Sequence, residues 1–98
     1  MGRVIHKTQM TDTSVTITAS QGAFKVLTVH EQDGIPAIFY ETLEKPLIPV
    51  DVTFTSVLTG GDVPDHSVYV GTLHLESPRT SGPFYLMTVH IYQSPSLV

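Results

Sequence analysis

The sequence predicts an all-β protein, a small antiparallel sandwich or partly open barrel of about seven strands. Apolar and polar residues alternate with the period of two that a β-strand imposes. Threonine and valine, which favour strands, are abundant, and most of the seven glycines and seven prolines fall between the alternating segments. No segment shows the 3.6-residue apolar period of a helix. We expect one domain, residues 1–98, with a frayed tail at 94–98.

The first three strands are predicted at 3–9, 13–19 and 24–32. The first has the sequence RVIHKTQ. In the second, Val15 and Ile17 point one way and the intervening threonines point the other. The third, FKVLTVHEQ, alternates in the same manner, so each of these strands presents one apolar and one polar face.

A tight hairpin is predicted to join the third strand to a fourth at 36–42. The connection, residues 32–35, has Asp-Gly at its centre, which is typical of a type I′ turn because both central residues must adopt positive φ. Pro36 begins the fourth strand, where its missing N–H does least harm. The rigid segment 45–49 then leads to a fifth strand at 50–58, in which apolar and polar residues again alternate.

The last two strands are predicted at 68–75 and 84–92. A long polar loop, 59–66, precedes them, and a second loop, 77–83, joins them. Gly71 lies in the middle of the sixth strand. A glycine there indicates a bulge, a sharp bend or a close approach to the backbone.

Three of the five histidines share one local pattern, threonine–aliphatic–histidine, at 28–30, 72–74 and 88–90. Alternation places the middle residues in the core and turns each threonine and histidine to the opposite face. Those middle residues are Val29, Leu73 and Val89. The face is open to three interpretations: a three-histidine zinc site, an ordinary wet sheet face, or a face that contacts a ligand or a second chain without a metal. We favour the ordinary wet sheet face over the metal site, because no two histidines have the short spacing that would arrange two ligands in advance, and we expect no metal or cofactor.

Composition excludes several classes of function. The net charge is −4 and the five Lys and Arg residues are scattered singly, so we expect no binding to long nucleic acid. A small anionic ligand remains possible, since an arginine and backbone amides can hold a phosphate. The chain has no cysteine, which suits a reducing cytosol, and no apolar run long enough for a membrane span.

Catalysis is not predicted. No serine lies in a Gly-x-Ser-x-Gly nucleophile turn. Asp62 and Asp65 share a loop and resemble an acid–base pair, but we interpret them as turn residues that bond their own backbone amides.

Loop residues and tyrosines supply the candidate ligand contacts. The adjacent Gly60 and Gly61 either form an amide nest for an anion or simply permit a turn. Arg79 lies in the second loop and is a candidate phosphate partner. Alternation assigns Tyr69 and Tyr85 to the core and favours Tyr92 and Tyr40 for contact, although Tyr69 is kept as a second stacking candidate. The predicted ligand-binding residues are Thr59, Gly60, Gly61, Asp62, His66, Tyr69, Arg79, Thr80, His90 and Tyr92.

Four segments resemble a family of small, uncharacterised proteins common in phages and prophages. They are VLTVHEQDGIPAIFYE (26–41), FTSVLTGGDVPD (54–65), YVGTLHL (69–75) and FYLMTVHIYQ (84–93), and the resemblance covers roughly residues 20–93. The family pattern has five parts in chain order. A strand ends in a short polar-Gly hairpin and is followed by a strand of aliphatic and aromatic residues, and then by a phenylalanine-containing strand that runs into Thr-Gly. The last two parts are an aromatic-aliphatic-Gly-Thr segment and a closing strand with a histidine followed by an aliphatic and an aromatic residue. The family often carries other polar residues at positions like His30 and His74, which leaves His90 as the triplet histidine of interest.

The resemblance implies a small phage protein that acts in the host cytoplasm. On this context we expect a non-catalytic, homo-oligomeric counter-defence protein that sequesters a nucleotide-like immune signal. The alternative is a protein-interaction module, either an inhibitor of a host defence protein or a minor virion component. A histidine-based metalloenzyme is the third hypothesis.

Overall fold

The computed structural model describes residues 2–45, 48–77 and 85–95, and in these ranges it contains seven antiparallel strands and no helix. The strands are β1 (Arg3–Gln9), β2 (Ser14–Ser20), β3 (Phe24–Gln32), β4 (Ile35–Leu43), β5 (Pro49–Leu58), β6 (Val68–Ser77) and β7 (Tyr85–Ser94). All seven predicted strands are confirmed, with bounds that agree within two residues. Within the described ranges no helix is available to cross a membrane.

The strands form two sheets, one with the order β1-β4-β3 and the other with the order β2-β5-β7-β6. The sheets pack as a sandwich and do not close into a barrel, so the first of the two predicted architectures is correct. The hairpin between β3 and β4 is also confirmed. Asp33 and Gly34 have φ of 54° and 78°, and Gln32 pairs with Ile35 across the turn.

Residues that point between the sheets form the core. Phe54 of β5 is fully buried and is the largest of the fully buried side chains. Its ring lies 6.3 Å from that of Phe24, which in turn lies 5.7 Å from Tyr40 of β4. The middle residues of the three triplets belong to this core, as predicted: Leu73 and Val89 are buried, and Val29 packs against them.

At Gly71 of β6 the backbone of the four-stranded sheet lies directly against Val29 of β3 in the other sheet. A β-carbon at position 71 would lie 2.4 Å from Cγ2 of Val29. The register against β7 also shifts between Tyr69 and Gly71, which is the signature of a β-bulge with Val70 as the extra residue. Two of the predicted roles of Gly71, a bulge and a close approach, therefore occur together.

The segment 59–67 is a crossover rather than a hairpin loop. Both β5 and β6 run antiparallel to β7, which lies between them, so β5 and β6 are parallel to each other. The chain must travel back along the sheet between Leu58 and Val68. It does so over the outer face, where it covers Val57 and contacts His90.

Tyr40 was expected at the surface and is instead buried in the core. Burial raises the pKa of its phenol above the ordinary value of 10.0, because the phenolate is poorly solvated there. The unfolded chain then releases this proton at a lower pH than the folded chain does. The contribution of the neutral Tyr40 phenol to the free energy of unfolding is therefore fully present below pH 10. It is lost as the pH rises through the folded-state pKa.

We expect the free energy of unfolding of Tyr40→Phe to fall less between neutral and alkaline pH than that of the wild type, because phenylalanine has no phenol to ionise. The measurement is the free energy of unfolding in urea at about pH 8 and about pH 11, for the wild type and the variant. Tyr69→Phe, at an exposed tyrosine, is the matched control and should retain the wild-type pH dependence. An equal alkaline loss in Tyr40→Phe and the wild type would contradict this assignment.

Candidate functional site

The outer face of the four-stranded sheet is rich in hydroxyl groups and rings. Pairing register places the outward residues of β2, β5, β6 and β7 in continuous cross-strand rows. They are Ser14, Thr16, Thr18, Asp51, Thr53, Thr55, Val57, Tyr69, Thr72, His74, Thr88, His90, Tyr92 and Ser94. None of these described outward positions is a lysine or an arginine, so the face offers hydrogen bonds and aromatic surface rather than positive charge.

A row of hydrogen bonds crosses the centre of this face. His90 of β7 contacts Thr59 Oγ1 through Nε2 at 3.0 Å and Thr72 Oγ1 through Nδ1 at 3.0 Å. The hydroxyl of Tyr69 bonds the same Thr72 oxygen. In a neutral imidazole one ring nitrogen donates and the other accepts, and a threonine hydroxyl can satisfy either role. The row Thr59–His90–Thr72–Tyr69 therefore holds the imidazole in one orientation.

The bulge in β6 builds this row. In a regular strand Tyr69 and Thr72 would point to opposite faces, since side chains alternate. The extra residue Val70 changes the alternation and brings both onto the outer face. The prediction from alternation that Tyr69 lies in the core is therefore wrong, because the side chain is 54% exposed.

Tyr92 lies beside Tyr69 on the same face. The two residues are paired in the β6–β7 register, and their ring centroids are 5.8 Å apart with an interplanar angle of 70°. This edge-to-face arrangement is a favourable one for aromatic pairs. It leaves a ring surface next to the hydroxyls of the row, which is a suitable environment for a planar group that also carries polar atoms.

Thr59 reaches His90 because a tight turn follows β5. Gly60 has φ of 92°, and the Gly61 amide donates to the Leu58 carbonyl at 2.8 Å. A β-carbon at Gly61 would lie 3.2 Å from Cγ1 of Val57, so the turn packs directly on that side chain. These contacts favour the turn interpretation of the double glycine over the anion nest, since the Gly61 amide already has an acceptor.

The other predicted site residues are placed as follows. Asp62 is exposed and lines a cavity at the end of the sandwich rather than the row around His90. His66 is exposed in the crossover with φ of 57°. Arg79 and Thr80 lie outside the described residues. Four predicted residues thus come together in one site: Thr59, Tyr69, His90 and Tyr92.

Thr72 is the member that sequence reasoning missed. It was recognised as part of a Thr-Leu-His triplet but was not chosen as a ligand contact. Its neighbour in register is His90, and that pairing is a long-range property of the sheet. The Thr-Leu-His triplet could have indicated Thr72, because alternation places the threonine on the same face of the strand as the histidine.

The three triplet histidines do not share a face. His74 lies on the outer face of the four-stranded sheet and contacts Thr88 at 3.2 Å. His30 belongs to the other sheet, where its ring stacks on Phe39 with centroids 5.1 Å apart and planes 3° from parallel. The three imidazoles therefore cannot surround one ion, and the described part of the chain contains no other group of three potential metal ligands.

Fold and face together define the class: a small two-sheet β-sandwich with an aromatic, hydroxyl-rich outer face. The chain belongs to a family described as a domain of unknown function (DUF7352), whose model matches residues 1–96. The match confirms an uncharacterised family and extends beyond the segment in which the resemblance was seen. No curated protein and no solved structure matches the chain significantly.

Proposed function

We propose that this protein is a non-catalytic binding protein that captures a nucleotide-like ligand on the outer face of its four-stranded sheet. The row Thr59–His90–Thr72–Tyr69 beside the ring of Tyr92 is the observation that carries the proposal. Hydrogen bonds within the row hold its side chains in place, and binding to a site held in this way loses less conformational entropy.

The base and the sugar supply most of the recognition. A base stacks on Tyr92 or Tyr69, and stacking of this kind contributes about 1–3 kcal/mol per base. Ribose hydroxyls and polar base edges exchange hydrogen bonds with the hydroxyl groups of Thr59, Thr72 and Tyr69, which His90 holds in place through both of its nitrogens. A hydroxyl group can donate or accept, so the face tolerates either polarity at the ligand.

Phosphate contributes less than the sequence suggested. The described outward residues include no lysine or arginine, and the Gly61 amide is occupied by Leu58. With a net charge of −4 the chain as a whole repels anions. In this proposal Arg79 is the one cation assigned to phosphate, and the affinity is determined chiefly by the base and sugar.

The proposed role is sequestration of a nucleotide immune signal by a homo-oligomer in the cytoplasm of a bacterial host. The resemblance to small phage proteins supports this role. Capture without turnover also suits the site, because both nitrogens of His90 are engaged by hydroxyl groups and no carboxylate of the described residues bonds to them. The ligand should therefore be recovered chemically unchanged after the protein is denatured.

Calorimetric titration against nucleosides, linear nucleotides and cyclic nucleotides tests the proposal. At least one member of the panel should bind with a Kd in the micromolar range or below. Because the described face lacks cations, a nucleoside and its monophosphate should differ in affinity by less than about tenfold. If no member of the panel binds more tightly than about millimolar, the proposal is wrong.

A protein-interaction module is the second candidate, supported by the opposite side of the sandwich. There Ile5 and Leu27 are exposed apolar residues on the three-stranded sheet, close to the stacked pair His30 and Phe39. Exposed apolar surface of this kind marks protein contacts in many domains. A stoichiometric complex that is lost in a variant with both Ile5→Ser and Leu27→Ser would favour this candidate over nucleotide capture.

A further inference from the structure

A cavity of about 480 Å³ opens at one end of the sandwich. It lies beside the last residues of β5, next to the point where the Ser56 amide donates to the Thr13 carbonyl at 2.9 Å. Its apolar lining residues are Met10, Pro36, Val57, Leu58, Leu75 and Val89. This volume is within the range of roughly 300–1,000 Å³ that is usual for small-molecule sites.

The wall residues are a continuation of the core. Met10, Leu75 and Val89 are among the most buried side chains of the described chain and belong to its central cluster. Leu58, in contrast, is 53% exposed where it borders the cavity. Apolar surface that faces water is unfavourable, and its burial stabilises a complex. An apolar occupant would pack against these side chains and cover Leu58.

Charge at the cavity selects among apolar occupants. Asp12 and Asp62 both line it, and among the described residues no lysine, arginine or histidine does. Asp12 accepts a hydrogen bond from the Thr13 amide at 2.7 Å, which fixes the carboxylate next to the opening. Two carboxylates without a cation repel an anionic ligand and attract an ammonium group.

We propose that this cavity binds an apolar molecule that carries an amine, with its apolar body between the sheets and its ammonium group near Asp12 and Asp62. The cavity shares Thr55 and Val57 with the outer face, but none of the row residues Thr59, His90, Thr72 and Tyr69 lines it, and its proposed ligand has a different chemistry. A molecule bound here does not depend on the proposed nucleotide capture.

Two probes with the same ring and opposite charge test the proposal. Tryptamine and indole-3-propionate are titrated into the full chain, with affinity and melting temperature as readouts. Tryptamine should bind at least about fivefold more tightly than indole-3-propionate and should raise the melting temperature. Absence of binding by both probes, or equal binding, would overturn the proposal.

Variants assign the effect to named groups. The double variant Asp12→Asn and Asp62→Asn keeps the acceptor for Thr13 and should reduce the preference for tryptamine to within about twofold. Leu58→Trp should fill the cavity, abolish tryptamine binding and raise the melting temperature. Tyr92→Ala, on the outer face, should bind tryptamine like the wild type. If the double Asn variant kept the wild-type preference for tryptamine over indole-3-propionate, the role of the two carboxylates would be contradicted. If Leu58→Trp bound tryptamine normally and melted at a lower temperature, the proposed location in the cavity would be contradicted.

Discussion

Replacing Gly71 by alanine is expected to destabilise the fold by about 1–3 kcal/mol. The new methyl group would lie 2.4 Å from Cγ2 of Val29, closer than side chains approach in folded proteins. The sheets must then move apart, or Val29 must leave its position against the core. Because a domain of this size is stable by only about 5–15 kcal/mol, the melting temperature should fall clearly. Urea unfolding of both proteins measures the difference.

Two further variants show that contact with Val29 is the cause. Val29→Ala removes Cγ2 and leaves only Cβ, at 3.8 Å, which is an ordinary contact. The double variant Gly71→Ala and Val29→Ala should therefore be more stable than the sum of the single effects predicts, by about 1 kcal/mol or more. Gly2→Ala is the control, since a β-carbon there meets nothing within 4 Å, and it should be near neutral. Strict additivity of the first two substitutions would contradict the clash.

Tyr92→Ala should weaken binding of the nucleotide-like ligand at least about fivefold, with the fold retained. Removal of an aromatic stacking partner costs about 1–3 kcal/mol per base, and each 1.4 kcal/mol is a factor of about ten in Kd. Tyr92 is half-buried on the outer face, so truncation removes its ring without opening the central core. The measurement is calorimetric titration with whichever nucleotide the wild type binds best.

A companion variant tests the hydrogen-bonded row by itself. His90→Phe keeps a ring between Thr59 and Thr72 but cannot bond to either hydroxyl. It should lose affinity by a similar factor. Thr16→Ala, on the same face but bonded to Thr53 near the other side of the sheet, is the matched control and should bind normally. Normal affinity in both Tyr92→Ala and His90→Phe would place the ligand elsewhere.

Most of the fold was predictable from local patterns. Alternation in β3, β6 and β7 identified the core positions of Val29, Leu73 and Val89, and the Asp-Gly pair identified the β3–β4 hairpin. These features depend on residues close together in sequence, with strong local preferences. Strand order was not predictable in this way, because the pairing of β1 with β4 or of β5 with β7 is a long-range property.

The candidate site was predictable only in part, and the bulge explains why. Alternation gave the correct face for His90, Thr72 and Tyr92 because β7 is regular and Thr72 follows the bulge. Alternation gave the wrong face for Tyr69, because Tyr69 precedes the bulge. Gly71 indicated a bulge from the sequence, but the glycine alone did not say which residue would be the extra one. The separation of His30 from His74 and His90 was likewise hidden, since it depends on the sheet to which β3 belongs.

The central claim is that the bulge in β6 creates a binding surface on the outer face of the four-stranded sheet. Chemical-shift mapping by NMR, during titration with the best-binding nucleotide, tests it most directly. The largest changes should fall on Tyr69, Thr72, His90 and Tyr92, while His30 and Phe39 on the opposite sheet stay unchanged. Changes concentrated at His30 and Phe39, with the row around His90 unaffected at saturation, would contradict the claim.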